Sequence, residues 1–77
     1  MTLYLVEYFF EFGIRARTIC ETLRGAQVVV KAYRDEDDRR AVITMLTGYY
    51  RVTSENIEFI TVCKEIVDEI RFEVEKL

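Results

Sequence analysis

The residues that could perform catalysis are few in this chain of 77 residues, which contains no His. Histidine is the usual general base near neutral pH and the commonest metal ligand. Ser54 is the only Ser and lies beside Glu55 in a predicted turn, so a turn role explains it. Cys20 and Cys63 stand apart with no metal-ligand spacing, and we interpret them as reduced thiols. We therefore expect no enzymatic activity and no cofactor.

A run of carboxylates at Asp35–Asp38 is the one candidate for cation binding, since carboxylates are hard ligands. The run lacks the alternating spacing and the Gly of a calcium loop, and the chain contains no Gly-rich phosphate loop. Its acidic residues suit the first turn of a helix, with Asp35 as the N-cap. We predict a helix start here and no metal site.

A basic set could hold single-stranded nucleic acid by phosphate contact and base stacking, and it comprises Arg15, Arg17, Arg24 and Phe9. The competing interpretation is cross-strand pairing with Glu7, Glu11 and Glu21, which would neutralise that face. We favour the pairing, and we disfavour nucleic acid as a partner.

The stretch 3–12 is the most aromatic and strand-like part of the chain. Taken in alternation, one side is wholly apolar or aromatic, and the other side mixes apolar residues with Glu7 and Glu11. A hairpin loop at 12–14 would place Tyr8 opposite Thr18 and Glu11 opposite Arg15, in a second strand at 14–23. A helix over 15–24 is the alternative for that second segment.

The remaining elements follow from turn signals and hydrophobic spacing. The valine run in 26–33 predicts a third strand, and the acidic cap predicts a helix from Asp35 to residue 47 or 50. Thr53 and Ser54 mark a turn before a strand at 57–63. Residues 64–77 fit a strand or a helix, and repulsion among glutamates four residues apart favours the strand.

The fold class that these elements predict is α+β, in a single domain spanning 1–77. It would have an antiparallel sheet of three to five strands with one helix packed on one face, in the order β-β-β-α-β with a possible final strand. The chain has no predicted signal peptide or membrane span, and we expect a cytoplasmic protein.

This pattern resembles that of many small proteins of bacteriophages and other mobile elements, among them some anti-CRISPR proteins and phage antitoxins that block a host ribonuclease. The resemblance covers residues 3–63 and lies in the order of elements, with Val30–Ala32 running into Asp35–Asp38 and Ala41. It implies an inhibitory binding function and assigns no functional residue.

The charge distribution suggests the surface for such binding. Residues 1–54 carry 8 basic and 7 acidic side chains, whereas residues 55–77 carry 3 basic and 7 acidic ones. We predict a protein-binding module, an inhibitor of a host defence or RNA-processing protein whose basic surface it would occupy. A self-associating homodimer is the alternative. The predicted partner-binding residues combine acids with tyrosines: Glu65, Asp68, Glu69, Glu73, Glu75, Tyr33, Tyr49 and Tyr50.

Overall fold

The computed structural model describes residues 1–73 as four strands and one helix. These are β1 (Thr2–Phe10), β2 (Gly13–Cys20), α1 (Leu23–Ala32), β3 (Arg40–Val52) and β4 (Ile57–Arg71). The strands form one antiparallel sheet in the order β2-β1-β3-β4, and α1 packs on one face of it. The predicted α+β class with one helix on an antiparallel sheet is confirmed. The element order is β-β-α-β-β, so the helix precedes the third strand instead of following it.

The core lies between α1 and the face of the sheet that α1 covers, which we call the helix face. Its buried side chains come from three elements: Val6 and Tyr8 of β1, Ala26 and Val30 of α1, and Ala41 and Ile43 of β3. Burying a Val or Ile side chain contributes about 1.5–3 kcal/mol, so this small set holds the domain together. Because α1 connects β2 to β3 across β1, one short helix covers the centre of the sheet.

The valine segment at 26–33 is helical, and the strand predicted there is wrong. Thr22 caps the helix, since its Oγ1 accepts a hydrogen bond from the Gly25 amide at 2.9 Å. Ala26 and Val30 lie four residues apart and face the core. The favourable burial of this stripe overrides the weak preference of Val for strands, which is worth only tenths of a kcal/mol per residue.

The helix predicted from Asp35 to residue 47 or 50 is also wrong, because residues 40–52 form strand β3. β3 is a central strand, and residues on both of its faces are buried from Ala41 to Thr44. A strand buried on both faces is a continuous apolar run with no alternation, which sequence periodicity cannot separate from a buried helix. Asp35 caps no helix, and the acidic run lies in the loop between α1 and β3.

The first hairpin forms as predicted, but its register is shifted. Tyr8 lies opposite Ala16, not Thr18, and the turn is formed by residues 11–12 with Gly13 as the first residue of β2. Gly13 has a φ of 138°, a conformation that residues with a Cβ rarely adopt. β2 also contains one extra residue, since Tyr8 pairs with Ala16 while Phe9 pairs with Ile14. This β-bulge leaves Arg15 without a partner on β1.

The strand predicted at 57–63 and the final strand predicted after it are one continuous strand, β4. The strand interpretation of residues 64–71 is confirmed, and residues 74–77 lie outside the described part. β4 has 15 residues, which corresponds to about 50 Å at 3.3 Å per residue. The longest dimension of the molecule is 54 Å, against 23 and 19 Å for the others, so the β3–β4 hairpin determines its shape.

Across residues 1–73, no helix has the length and apolar character needed to cross a membrane.

Candidate functional site: the surfaces around strands β3 and β4

The β3–β4 hairpin projects beyond the rest of the sheet. β1 pairs with β3 only as far as Thr47, and the two backbone hydrogen bonds between Met1 and Gly48, at 3.0 and 3.1 Å, close this junction. Residues 49–60, which we call the hairpin arm, extend past it. The arm ends in a turn in which the Thr53 amide donates to the Asn56 carbonyl at 2.8 Å and the Asn56 amide donates to the Thr53 hydroxyl at 3.0 Å. The turn predicted at Thr53 and Ser54 is therefore confirmed.

Gly48 marks the base of the arm because no side chain fits there. A Cβ at this position would lie 1.9 Å from the carbonyl oxygen of Ile60 and 2.9 Å from its carbonyl carbon. The close approach coincides with a bulge in β4, where Thr47 pairs with Cys63 and Gly48 pairs with Thr61. Gly48 was expected on the helix predicted from Asp35, so its close approach to the Ile60 backbone was not predicted.

The arm carries apolar side chains on both of its faces. Tyr50 and Phe59 pair across the two strands with their ring centroids 5.4 Å apart and their planes at 70°. Tyr49 pairs with Ile60, and the alternation of β3 places this pair on the opposite face, which is continuous with the helix face. Tyr49 and Tyr50 are each about half exposed, at 53% and 50%. Of the three predicted tyrosines, Tyr49 and Tyr50 are therefore available for contact on opposite faces of the arm.

Two of the predicted acidic residues lie on the same side of the sheet as Tyr49. Glu65 pairs with Met45 and Asp68 pairs with Ile43, and both partners are on the helix face. The helix α1 lies over β1, β2 and β3 and, in the described part of the chain, does not reach β4. Tyr49, Ile60, Glu65 and Asp68 thus share an uncovered strip along the helix face of the hairpin, which we call the acidic strip.

The other predicted partner-binding residues lie elsewhere. Glu69 is on the opposite face, where its Oε1 is 3.6 Å from Arg40 and 3.4 Å from Arg71. Glu73 follows β4 and accepts a hydrogen bond from Arg34 through its backbone carbonyl at 3.1 Å. Tyr33 is exposed at the C-terminal end of α1. Glu75 lies outside the described residues. Tertiary structure therefore divides the predicted patch.

The face of the sheet opposite α1, which we call the open face, is not covered by any described element. Its centre is a groove with Thr44 and Leu46 as the floor, Leu5 and Glu7 on the β1 side, and Lys64 and Ile66 on the β4 side. Ile66 is 65% exposed, whereas Leu5 and Leu46 are half-buried. This side of β1 was predicted to be mixed because Glu7 and Glu11 interrupt its apolar residues.

Two of the three arginines considered for nucleic-acid binding, Arg15 and Arg17, are engaged with acids, as the pairing interpretation predicted for one of them. Arg17 Nε lies 3.0 Å from Glu7 Oε2, across the β1–β2 ladder. Arg15 reaches a different acid, Asp38, because the bulge in β2 turns it away from the Arg17 side of the sheet. Phe9 is stacked under the guanidinium of Arg40 at 4.2 Å. The arginine set does not form one basic surface.

The Arg15–Asp38 pair is the most constrained polar contact in the described chain. Arg15 donates through Nε and Nη2 to the two Asp38 carboxylate oxygens, each at 2.7 Å. The Asp38 side chain is fully buried, and the Asp35 amide also donates to it at 2.8 Å. These hydrogen bonds, from Arg15 above all, lower the pKa of the Asp38 carboxyl below its ordinary value. The Asp38 carboxylate is thus bound by a guanidinium, and within residues 1–73 no group of three or more possible metal ligands is found.

Tyr8 links the sheet to the helix beside this pair. Its hydroxyl donates to the Val29 carbonyl at 2.7 Å, and the Arg15 guanidinium lies 4.9 Å from its ring centroid. Burial raises the pKa of the Tyr8 hydroxyl, so the group stays neutral and remains a donor at neutral pH. Both contacts stabilise the junction of β1, β2 and α1, and neither involves a residue of the hairpin arm.

Comparison with known proteins supplies no relative: no family model, curated protein or solved structure matches this chain significantly.

Proposed function

We propose that this chain is a non-catalytic protein-binding module, and specifically a phage or mobile-element inhibitor that occupies the working surface of a host defence or RNA-processing protein. The observation that carries the proposal is the acidic strip, which runs from Tyr49 and Ile60 on the projecting arm to Glu65 and Asp68 nearer the body and which α1 leaves uncovered. Tyrosine supplies a large contact area at low entropic cost. Neighbouring carboxylates complement a basic surface, such as one that binds nucleic acid.

The shape of the hairpin supports insertion into a concave target. The arm extends as a two-stranded ribbon past the end of β1, and its Arg51–Glu58 pair, at 2.6 Å, joins the strands near the tip. A ribbon held by its own ladder needs little ordering on binding, which lowers the entropic cost of association. The acidic residues of the strip lie nearer the body than Tyr49, so a partner would meet the aromatic residue first and the carboxylates after it.

The test is capture from a nuclease-treated bacterial lysate with a tagged chain and two strip variants, Tyr49→Ala and Glu65→Lys. Each variant is expected to weaken binding of the captured protein about tenfold or more, equivalent to about 1.4 kcal/mol. Tyr33→Ala and Glu36→Lys are matched controls, because they make the same chemical changes at exposed positions away from the strip.

The pattern across the four variants decides the outcome. Retention of the partner by both controls, with loss in both strip variants, supports the proposal. Equal binding by all four variants, or recovery of no protein at stoichiometric amount, contradicts it. Capture that disappears on nuclease treatment would assign binding to nucleic acid instead.

A further inference from the structure

The open face has the composition of a surface that is buried in the functional state. Its exposed or half-buried apolar residues run along the whole sheet, and comprise Leu3, Leu5, Ile19, Leu46, Tyr50 and Ile66. An antiparallel sheet with one solvated face normally carries alternating polar residues there. The cross-strand pairs Leu5–Ile19 and Leu3–Leu46 place apolar residues side by side, and clustered exposed apolar residues mark an interaction surface.

The acidic residues Glu7 and Glu69 of this face are paired within the chain. Glu7 binds Arg17 at 3.0 Å, and Glu69 lies within 3.6 Å of Arg40. The whole chain has a net charge of −3, which opposes the approach of two copies. On the open face, however, acids are neutralised locally, and the Lys64 beside the groove adds a positive charge. An identical copy can therefore approach this face without bringing unpaired carboxylates together.

The edges of the sheet are less suited to pairing two copies. β4 is the longer edge strand, and its two bulges leave Val62 and Val67 without partners on β3. Bulges and charges on an edge strand prevent regular addition of another strand. The face of the sheet, instead of its edge, is the surface on which a second copy fits.

The exposed area also matches the requirement of a dimer. The chain exposes 5976 Å². A compact monomer of this mass, 9.2 kDa, exposes about 4,900 Å². The surplus of about 1,100 Å² belongs to the whole molecule, including its extended hairpin, and exceeds the roughly 800 Å² that each partner buries in a standard interface.

We propose that two copies of this chain pack open face to open face about a two-fold axis, as a sandwich of two four-stranded sheets. The hairpin arm of each copy lies over the groove of the other, with Tyr50 and Phe59 covering Leu46 and Ile66. Two such sheets pack about 10 Å apart with their side chains interdigitated. The acidic strip faces outward from this dimer, so the inference does not rest on the proposed inhibitory function.

The experiment is the mass of the untagged chain in solution, by light scattering and sedimentation, with one variant on the open face and one matched control. Ile66→Glu puts a charge into the groove, and Val28→Glu makes a similar change at an exposed position of α1, where Val28 is 58% exposed. At about 50 µM, above the micromolar Kd expected for an interface of this size, the wild type and Val28→Glu are expected at twice the chain mass. Ile66→Glu is expected at the chain mass.

Circular dichroism tests whether each variant is folded. If Ile66→Glu is unfolded, Ile57→Glu in the arm is the second variant that places a charge on the open face. A wild-type monomer overturns the inference. A dimer that persists in the folded open-face variants overturns it as well, because the copies would then meet on another surface. Tyr49→Ala and Glu65→Lys are expected to remain dimeric, which separates failure of the dimer from failure of partner binding.

Discussion

At the scale of single residues, one ion pair joins two parts of the chain that are far apart in the sequence. Arg15 and Asp38 are separated by 23 positions, and their two hydrogen bonds fasten the loop after α1 to strand β2. Asp38 is fully buried, whereas about a third of the Arg15 side chain is exposed. Removing the carboxylate would leave the guanidinium without its partner at the edge of the core.

Replacing Asp38 by Asn is expected to lower the free energy of unfolding by about 3 kcal/mol. This value is at the low end for breaking a buried ion pair, because the Arg15 side chain is partly exposed to solvent. Urea denaturation at pH 7 measures this. Asp37→Asn is the matched control, since Asp37 is exposed, and it should change the free energy by less than about 0.5 kcal/mol. Equal effects of the two variants would contradict the assigned role of the pair.

The same pair predicts an acid dependence of stability. The pKa of Asp38 is lowered in the folded state, so its stabilisation is complete above the unfolded-state pKa of about 3.9. Below that pH the unfolded state binds more protons, and the free energy of unfolding falls as the pH falls through the folded-state pKa. Urea titrations between about pH 5 and pH 2, a range that includes the unfolded-state pKa, measure this dependence. The free energy of unfolding should fall more steeply with pH for the wild type than for Asp38→Asn. Parallel curves would be inconsistent with this linkage.

Tyr8 offers an independent measurement at the junction of sheet and helix. Tyr8→Phe removes the hydrogen bond to the Val29 carbonyl and keeps the ring in the core. The Val29 carbonyl still accepts from the Tyr33 amide at 3.0 Å, so the expected loss is that of one hydrogen bond, about 0.5–1.5 kcal/mol. Thermal unfolding gives the value, and Tyr4→Phe, in a half-buried tyrosine of the same strand and face, is the comparison.

At the scale of elements, the arm depends on the bulge at its base. Gly48→Ala would force a Cβ to within 1.9 Å of the Ile60 carbonyl oxygen, a backbone atom that cannot rotate away. We expect the strands to separate locally at this position, because the alternative is a steric overlap. Hydrogen exchange of the amides in residues 57–61 should accelerate at least tenfold, while the amides of β1 change little.

Thr47→Ala is the control for this prediction, since Thr47 is exposed on the neighbouring position of β3 and its loss creates no overlap. If Gly48→Ala leaves exchange in the arm unchanged, the close approach assigned to Gly48 is wrong. If exchange accelerates in both variants, the arm is sensitive to any substitution at its base and not specifically to the added Cβ.

At the scale of the whole molecule, the proposed dimer predicts that stability depends on the protein concentration. The radius of gyration of the chain is 14.3 Å, against about 11.5 Å for a compact domain of this length. Because a second copy that binds only the folded state stabilises it by mass action, the thermal midpoint should rise with protein concentration. Calorimetry over a hundredfold range of concentration checks this, and Ile66→Glu should show no such rise.

The parts of the fold that could be predicted from sequence are those with exposed alternation. In β1, residues of the helix face alternate with residues of the open face, and a turn at residues 11–12 follows the strand. The distal hairpin is similar, because polar residues of the turn separate two strand-forming segments. The glutamate spacing correctly favoured a strand for residues 64–71, since a helix there would place like charges four residues apart.

The exchange of helix and strand between Leu23 and Val52 could not be predicted from local preference. The valines of α1 favour a strand individually, and the apolar run of β3 fits a helical spacing as well as a doubly buried strand. The candidate site could not be predicted for the same reason, since the acidic and tyrosine residues predicted to bind a partner lie on two faces of the sheet. The Arg15–Asp38 pair was not predicted, because the bulge in β2 determines the direction of the Arg15 side chain.

The sequence by itself therefore determined the first hairpin, the distal turn and the strand character of residues 57–71, because each of these follows from contacts among neighbours along the chain. The α+β class was predicted correctly although the helix and one strand were assigned to each other's segments. Only the tertiary structure decided that the valine segment is the helix, that β3 is central and that the acidic residues of β4 lie on different faces. The physical reason is that a residue buried on both sides, or shifted by a bulge, takes its environment from strands that are distant in sequence.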